Sequence, residues 1–465
     1  MRLSLLLLAA THALANGPAW VAELSAVAPQ HLDNITVHTT PGQHATVGIY
    51  DTDAIAPEDV PGIKATIRVQ WFEHRTVFSG MAEERMAAIP YYLPEPKDLP
   101  PTGSWALELE PERVGVYTVP VACNTNTVTV TVVCMDLPES GIGYGFYSDY
   151  ALFPDPLRGR DYYRDMAAHG MNTLTPYSRE LPQEYGVDNK DHAALLSWHI
   201  DTAIDVGLCD PRFPLLCLSC SPQDITNSRA TKRNAQWPEL VAANKDEPLL
   251  EHGEIVKGFA DAAHAEGLLS GTAIVGPTAK EIGGPLDVWI LSMETTTQET
   301  MKDCADKGKQ RWVYNCTLRG SNAALHRYWT GVYTWAIGPR VCLTWNYMHD
   351  PSNRINPDGS WNLLRVYDTA TCDAQGKPIP TVALEGMADG IVDSRLLQAL
   401  AAKGGPEAQA YLDKLRAQVP LTFWPDGHNR DYGPYVWDVP DMAVPPVDLV
   451  AMRAEVLRLL RGVER

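Results

Sequence analysis

Between about residues 20 and 133, apolar and polar positions alternate in short runs at 45–50, 65–72, 105–109, 115–119 and 127–133, with Pro and Gly between them. A period of two marks strands with one buried face, and several such strands separated by turn residues predict a β-sandwich. The run Met135, Asp136, Leu137, Pro138 ends this pattern, because proline cannot donate to a sheet ladder, and it predicts a domain boundary after residue 137.

From residue 138 the pattern changes to short apolar runs alternating with amphipathic helical stretches, the signature of βα units around a parallel sheet. Eight strands are predicted, at 142–147, 172–176, 213–217, 240–244, 268–274, 287–291, 311–316 and 340–347. Helices end in glycine just before a strand, as at Gly170 and Gly267, where a left-handed C-cap is expected. Eight units close a (β/α)8 barrel; a doubly wound open sheet is the alternative, but no Gly-rich phosphate loop follows the first strand. The expected organisation is a signal peptide at 1–15, a sandwich at 16–137, a barrel with its following segment at 138–405, and a helical extension at 406–465 packed on the barrel.

Composition narrows the function. A chain of 465 residues exceeds the size at which single cores stop growing, so two domains are natural. Met1, Arg2, an apolar run and small residues up to Ala15 fit a cleaved export signal, too short to span a bilayer, and imply a secreted or periplasmic protein. A net charge of -19 with no basic run argues against nucleic acid and anionic membranes as partners. Nine cysteines leave at least one unpaired; Cys123 and Cys134 are candidates for a cross-strand pair, whereas Cys217 and Cys220 form a CxxC with no second ligand pair for zinc. No cofactor or metal site is expected, and His169 and His264 read as capping or surface residues.

Chemistry in a (β/α)8 barrel collects at the carboxyl ends of its strands. The fourth strand ends in Asn244, Lys245, Asp246, Glu247, Pro248, and two adjacent carboxyls there raise each other's proton affinity, as a general acid requires. Both reach one site only if the backbone turns at the strand end. The other strand ends supply Tyr147 and Asp149, Asn172 and Tyr177, Tyr314 and Asn315, then Trp345, Asn346, Tyr347 and His349. Aromatic faces and amides suit the apolar faces and hydroxyls of an oligo- or polysaccharide substrate. Two mechanisms fit: a conventional nucleophile, Glu294 or Asp149, across from Glu247, or substrate assistance by a 2-acetamido group, since the seventh strand offers no carboxylate.

Four features resemble glycoside hydrolase family 123: His169-Gly170-Met171-Asn172; Asp246-Glu247-Pro248; Leu286-Asp287-Val288-Trp289 followed by Arg311-Trp312-Val313-Tyr314; and the segment from Trp335 to Tyr347 leading to Leu384-Glu385-Gly386. The resemblance covers roughly residues 141–402 and implies retaining hydrolysis of an N-acetyl-β-galactosaminide, with Asp246 stabilising an oxazolinium-like intermediate and Glu247 as acid/base. It further implies that Tyr314 or Tyr347 contacts the acetamido oxygen and that Trp345 stacks on the sugar. The Arg that precedes Glu-Gly in that family is absent here, and Glu385 and Asp389 read as structural. A barrel that binds glycan without turnover is the remaining alternative.

Overall fold

The computed structural model describes residues 18–25, 31–79, 83–94, 103–148, 158–176, 191–243, 245–293, 295–316, 318, 322–348, 369–373, 375–421 and 444–462. The chain begins with nine strands: β1 (Trp20–Glu23), β2 (Asn34–Thr39), β3 (Ala45–Tyr50), β4 (Ile55–Pro57), β5 (Ile63–Ser79), β6 (Glu83–Pro94), β7 (Ser104–Pro111), β8 (Gly115–Cys123) and β9 (Thr127–Cys134). They form two sheets, ordered β1-β3-β7-β5-β6 and β2-β9-β8-β4. Alternate residues of both, including Val47, Ile49, Leu107, Val119, Val130 and Val132, are buried together in one core, so the predicted sandwich is present. The predicted cysteine pair is not. In the β8–β9 hairpin Cys134 lies opposite Gly115, while Cys123 sits at the far end of β8 opposite Ile55 of β4, and both thiols are free.

The second region follows the predicted βα repeat. Its strands are β10 (Gly143–Ser148), β11 (Thr173–Pro176), β12 (Leu215–Leu218), β13 (Leu240–Ala243), β14 (Leu269–Ile274), β15 (Val288–Ser292), β16 (Gln310–Asn315) and β17 (Val341–Thr344). Pairing is parallel throughout, in the order β11-β10-β17-β16-β15-β14-β13-β12. The first strand is therefore bonded to the last, and the edges left facing each other, β11 and β12, are consecutive in sequence. This excludes the doubly wound alternative and makes a nearly closed barrel. The seam is bridged by Thr173 Oγ1 donating to the Pro214 carbonyl at 3.4 Å and by the Asp210 amide donating to the Asn172 carbonyl at 2.9 Å.

Inside, alternate strand residues such as Leu216, Val241, Ile290, Trp312 and Leu343 fill the lumen. Outside, a larger apolar layer joins the opposite strand faces to the helices. The last ring helix is longer than the sequence reading has it. Ala323–Tyr328 runs through a π turn, Trp329–Tyr333, into Thr334–Ile337, and Val382–Lys403 is one 22-residue helix, where the sequence alone suggests a helix only near 393–403 after the segment 381–395. Gly386 and Gly390 explain the difference. Each weakens helix propensity, yet a Cβ at Gly386 would lie 2.2 Å from the Ala323 carbonyl oxygen and one at Gly390 would lie 2.4 Å from that of Arg327. Tertiary packing thus requires the residues that local propensity disfavours. Two further helices, Pro406–Gln418 and Leu449–Gly462, pack against this one through Leu412, Leu415, Met452 and Val456.

Candidate active site

After Ala243 the chain leaves β13 at the carboxyl end of the barrel, and β14 holds the turn. Thr272 Oγ1 donates to the Lys245 carbonyl and the Glu247 amide donates to the Ala273 carbonyl at 3.1 Å. The reversal needed for both acids to share a site occurs at Glu247 itself, whose φ of 43° lies in the left-handed region. A non-glycine residue there carries backbone strain that persists only where the surroundings over-determine it.

Glu247 is fixed at its other end as well. Tyr314, on β16, donates its hydroxyl to Glu247 Oε1 at 2.5 Å. The Tyr314 ring meets Tyr147 of β10 edge-on at 6.3 Å, and Tyr147 lies 5.8 Å from Trp345, just after β17. Glu247, Tyr314, Tyr147 and Trp345 thus form a continuous array around the barrel mouth, drawn from four strand ends. Burial pushes the Tyr314 phenol well above its ordinary range, so it stays a neutral donor at physiological pH.

Asp246 is exposed at the strand end beside Glu247, although its carboxyl is partly desolvated there. That desolvation first, and the Glu247 charge second, raise its pKa to about 6. The two neighbours are therefore differentiated: one acid is poised near neutrality and the other is held in position by a phenol.

Not every predicted residue joins this array. Asn172 precedes β11, at the amino end of the barrel, where its Oδ1 accepts the Tyr144 amide at 2.7 Å. It pins β11 to β10 at the opposite end from the chemistry. Tyr347 lies in the apolar layer outside the lumen, fully buried against Phe146 and Tyr162, and donates to Asp165 Oδ2 at 2.6 Å; it is not placed to touch a sugar. Asn346 is buried, its carbonyl accepting from the Thr369 hydroxyl at 3.1 Å, and its amide oxygen Oδ1 has no hydrogen-bond partner. Tyr177, Asp149, Glu294 and His349 lie outside the described residues.

His169 is the C-cap of the helix Gly159–Ala168, one of its two expected roles, but it is buried, not at the surface, and lies beside His44 and Glu385 where the sandwich meets the barrel. These three residues are scattered along the chain, so no spacing in the sequence marks them. Glu385 and Asp389 do tie the last ring helix to the sandwich, the latter through Ser25, whose hydroxyl donates to Asp389 Oδ2 at 2.6 Å. Cys217 and Cys220 are both buried, and His264 pairs with Asp287 at the surface.

No family model matches the sequence, and no curated protein matches it. Among solved structures, a family 123 glycoside hydrolase from Clostridium perfringens, described in a study of glycolipid glycan hydrolysis, superposes with a TM-score of 0.61 at 11% identity, covering 96% of this chain and 98% of that one. A putative alpha-galactosidase from Bacteroides fragilis aligns over 77% of each chain at 10% identity with a TM-score of 0.29. A GH10 xylanase with a bacterial Ig-like domain, from termite gut, covers 79% of this chain and 100% of its own at 10% identity and 0.33. The latter two superpose too loosely to bear on the fold. The first does bear on it: this chain is a β-sandwich followed by a (β/α)8 barrel, with a fold similar over nearly its whole length to that of the family 123 glycoside hydrolase from Clostridium perfringens.

Proposed function

We propose that this protein is an exported glycoside hydrolase that cleaves a 2-acetamido-2-deoxy-β-hexoside with retention, using the substrate's own acetamido oxygen as nucleophile. The observation that carries the reading is the pair of adjacent carboxyls at the end of β13, one with its pKa raised to about 6 and the other bonded to Tyr314. Two further features support it: β16, the seventh barrel strand, has no carboxylate, and the similar fold belongs to a glycoside hydrolase.

In this mechanism the acetamido oxygen attacks the anomeric carbon while Glu247 protonates the departing glycosidic oxygen. Ionised Asp246 accepts the acetamido N–H and offsets the positive charge of the bicyclic oxazolinium ion. Glu247, now a carboxylate, then takes a proton from the water that reopens the ring, so the configuration is retained. Tyr314 orients Glu247, and Trp345, backed by Tyr147, offers a ring face to the sugar.

The test compares aryl β-glycosides bearing a 2-acetamido or a 2-hydroxyl group. Wild type is expected to cleave only the former, with Asp246→Asn and Glu247→Gln each losing about 10²- to 10⁴-fold, the general scale for a positioned acid or base. For Glu247→Gln the loss should grow as the aryl leaving group becomes more basic, because a poor leaving group needs the proton more. Cleavage of the 2-hydroxyl substrate with full activity in Asp246→Asn would instead indicate a protein nucleophile.

A further inference from the structure

Where the sandwich meets the barrel, three side chains from three separate elements converge. His44 precedes β3, His169 caps the helix Gly159–Ala168, and Glu385 lies in the first turn of Val382–Lys403. The two Nε2 atoms are 3.1 Å apart, His44 Nε2 is 3.4 Å from Glu385 Oε2, and His169 Nε2 is 3.5 Å from Glu385 Oε1. Metal–ligand bonds of about 2.0–2.2 Å in a tetrahedral zinc site place neighbouring ligand atoms about 3.3–3.6 Å apart. The observed separations lie close to those edges, and two imidazoles with one carboxylate form a donor set zinc accepts.

Independent features prepare the site. His169 Nδ1 is 2.7 Å from the Asp165 carbonyl, which only accepts, so Nδ1 carries the proton and the lone pair of the neutral ring is on Nε2, toward the cluster. Glu385 is 5% exposed, and the polar contact of its buried Oε1 is the long 3.5 Å approach to His169 Nε2, so the carboxylate needs a cation beside it, the imidazolium or a metal ion. The supporting backbone is tight: a Cβ at Gly170 would lie 1.9 Å from Gln43 Nε2. The His44 side chain remains 11% exposed, which admits solvent for entry and for a fourth, water ligand.

We propose that His44, His169 and Glu385 bind one divalent transition-metal ion, zinc by its donor set, as a structural pin between sandwich and barrel. By strand order the site lies across the barrel from β13, so it stands or falls independently of the proposed hydrolysis. The experiment strips the full-length protein with a chelator, removes the chelator, and titrates zinc chloride while following calorimetry and thermal unfolding, with magnesium chloride as control. One equivalent of zinc per chain and a raised Tm with zinc but not magnesium are expected, with stoichiometric binding lost in both His44→Gln and Glu385→Gln. Cobalt(II) on the wild type gives a second readout that needs no variant to fold: intense tetrahedral-type visible bands are expected. No stoichiometric zinc uptake, unchanged uptake in His44→Gln, or only weak octahedral cobalt bands would overturn the proposal and leave the trio as a hydrogen-bonded ion pair across the interface.

Discussion

Partial desolvation and the neighbouring Glu247 charge hold the Asp246 pKa at about 6, well above the ordinary carboxylate value of 3.8. If ionised Asp246 is the form that supports the oxazolinium ion, kcat/KM should rise with pH and level off above about 6. A profile of kcat/KM against pH checks this, and the same limb surviving in Asp246→Asn would assign it to another group. Stability runs the other way: the folded state holds this proton more tightly than the unfolded chain, so the contribution is complete below about pH 4 and is lost as pH rises through about 6. Tyr314 acts through Glu247. Tyr314→Phe keeps the ring against Tyr147 but removes the donor to Oε1, and an interaction of about 1–1.5 kcal/mol predicts roughly a tenfold fall in kcat with little change in KM.

Among the elements, the helix Val382–Lys403 and its neighbour Ala323–Ile337 approach most closely where glycines stand. Gly390 faces the Arg327 carbonyl and Thr330 Oγ1, and a Cβ at Gly331 would lie 3.1 Å from the Gly390 carbonyl oxygen. Gly390→Ala must push the helices apart and is expected to cost about 1–3 kcal/mol, the range for overpacking a filled core. Gly258, exposed in the helix Gly253–Ala265 with open space around its Cβ position, makes the opposite case: Gly258→Ala should stabilise by about 0.5–1 kcal/mol through helix propensity alone. Thermal melts of the two variants should move in opposite directions. The sequence placed all eight barrel strands near their observed positions, because apolar runs bounded by turn residues are local signals. It misjudged this helix because the reason for its glycines is a neighbour distant in sequence.

At the scale of the whole molecule, one buried ionic network joins its parts. Arg327 donates to Asp393 Oδ2 at 2.6 Å and to Glu23 Oε2 of β1 at 2.8 Å, and Arg453 of the terminal helix donates to Asp393 Oδ1 at 2.5 Å. Sandwich, barrel ring and C-terminal helix therefore share one charge cluster. Removing a member leaves the others buried and uncompensated, so Arg327→Met is expected to cost about 3–5 kcal/mol in urea unfolding near neutral pH. Despite its burial, Asp393 is held below its ordinary pKa by the Arg327 and Arg453 guanidinium groups. Its contribution is thus present above the unfolded pKa and lost as pH falls through the folded one, and the gap between wild type and variant should narrow in acid. A constant gap from neutral to acid pH would count against this account.

The sequence by itself determined the order and type of the elements and the adjacency of Asp246 and Glu247, since periodicity, turn chemistry and covalent neighbours are properties of short stretches. Only the tertiary structure decided which strand-end aromatics reach the barrel mouth. Strands such as β10, β13 and β17 are buried on both faces, so their hydrophobic runs carry a period but no phase. Tyr314, Tyr147 and Trp345 consequently face the lumen, whereas Tyr347 faces the helices and Asn172 sits at the other end of the barrel. The same holds for His44, His169 and Glu385, and for the cluster around Arg327: residues separated by most of the chain meet only because the barrel closes and the sandwich docks on its last helix.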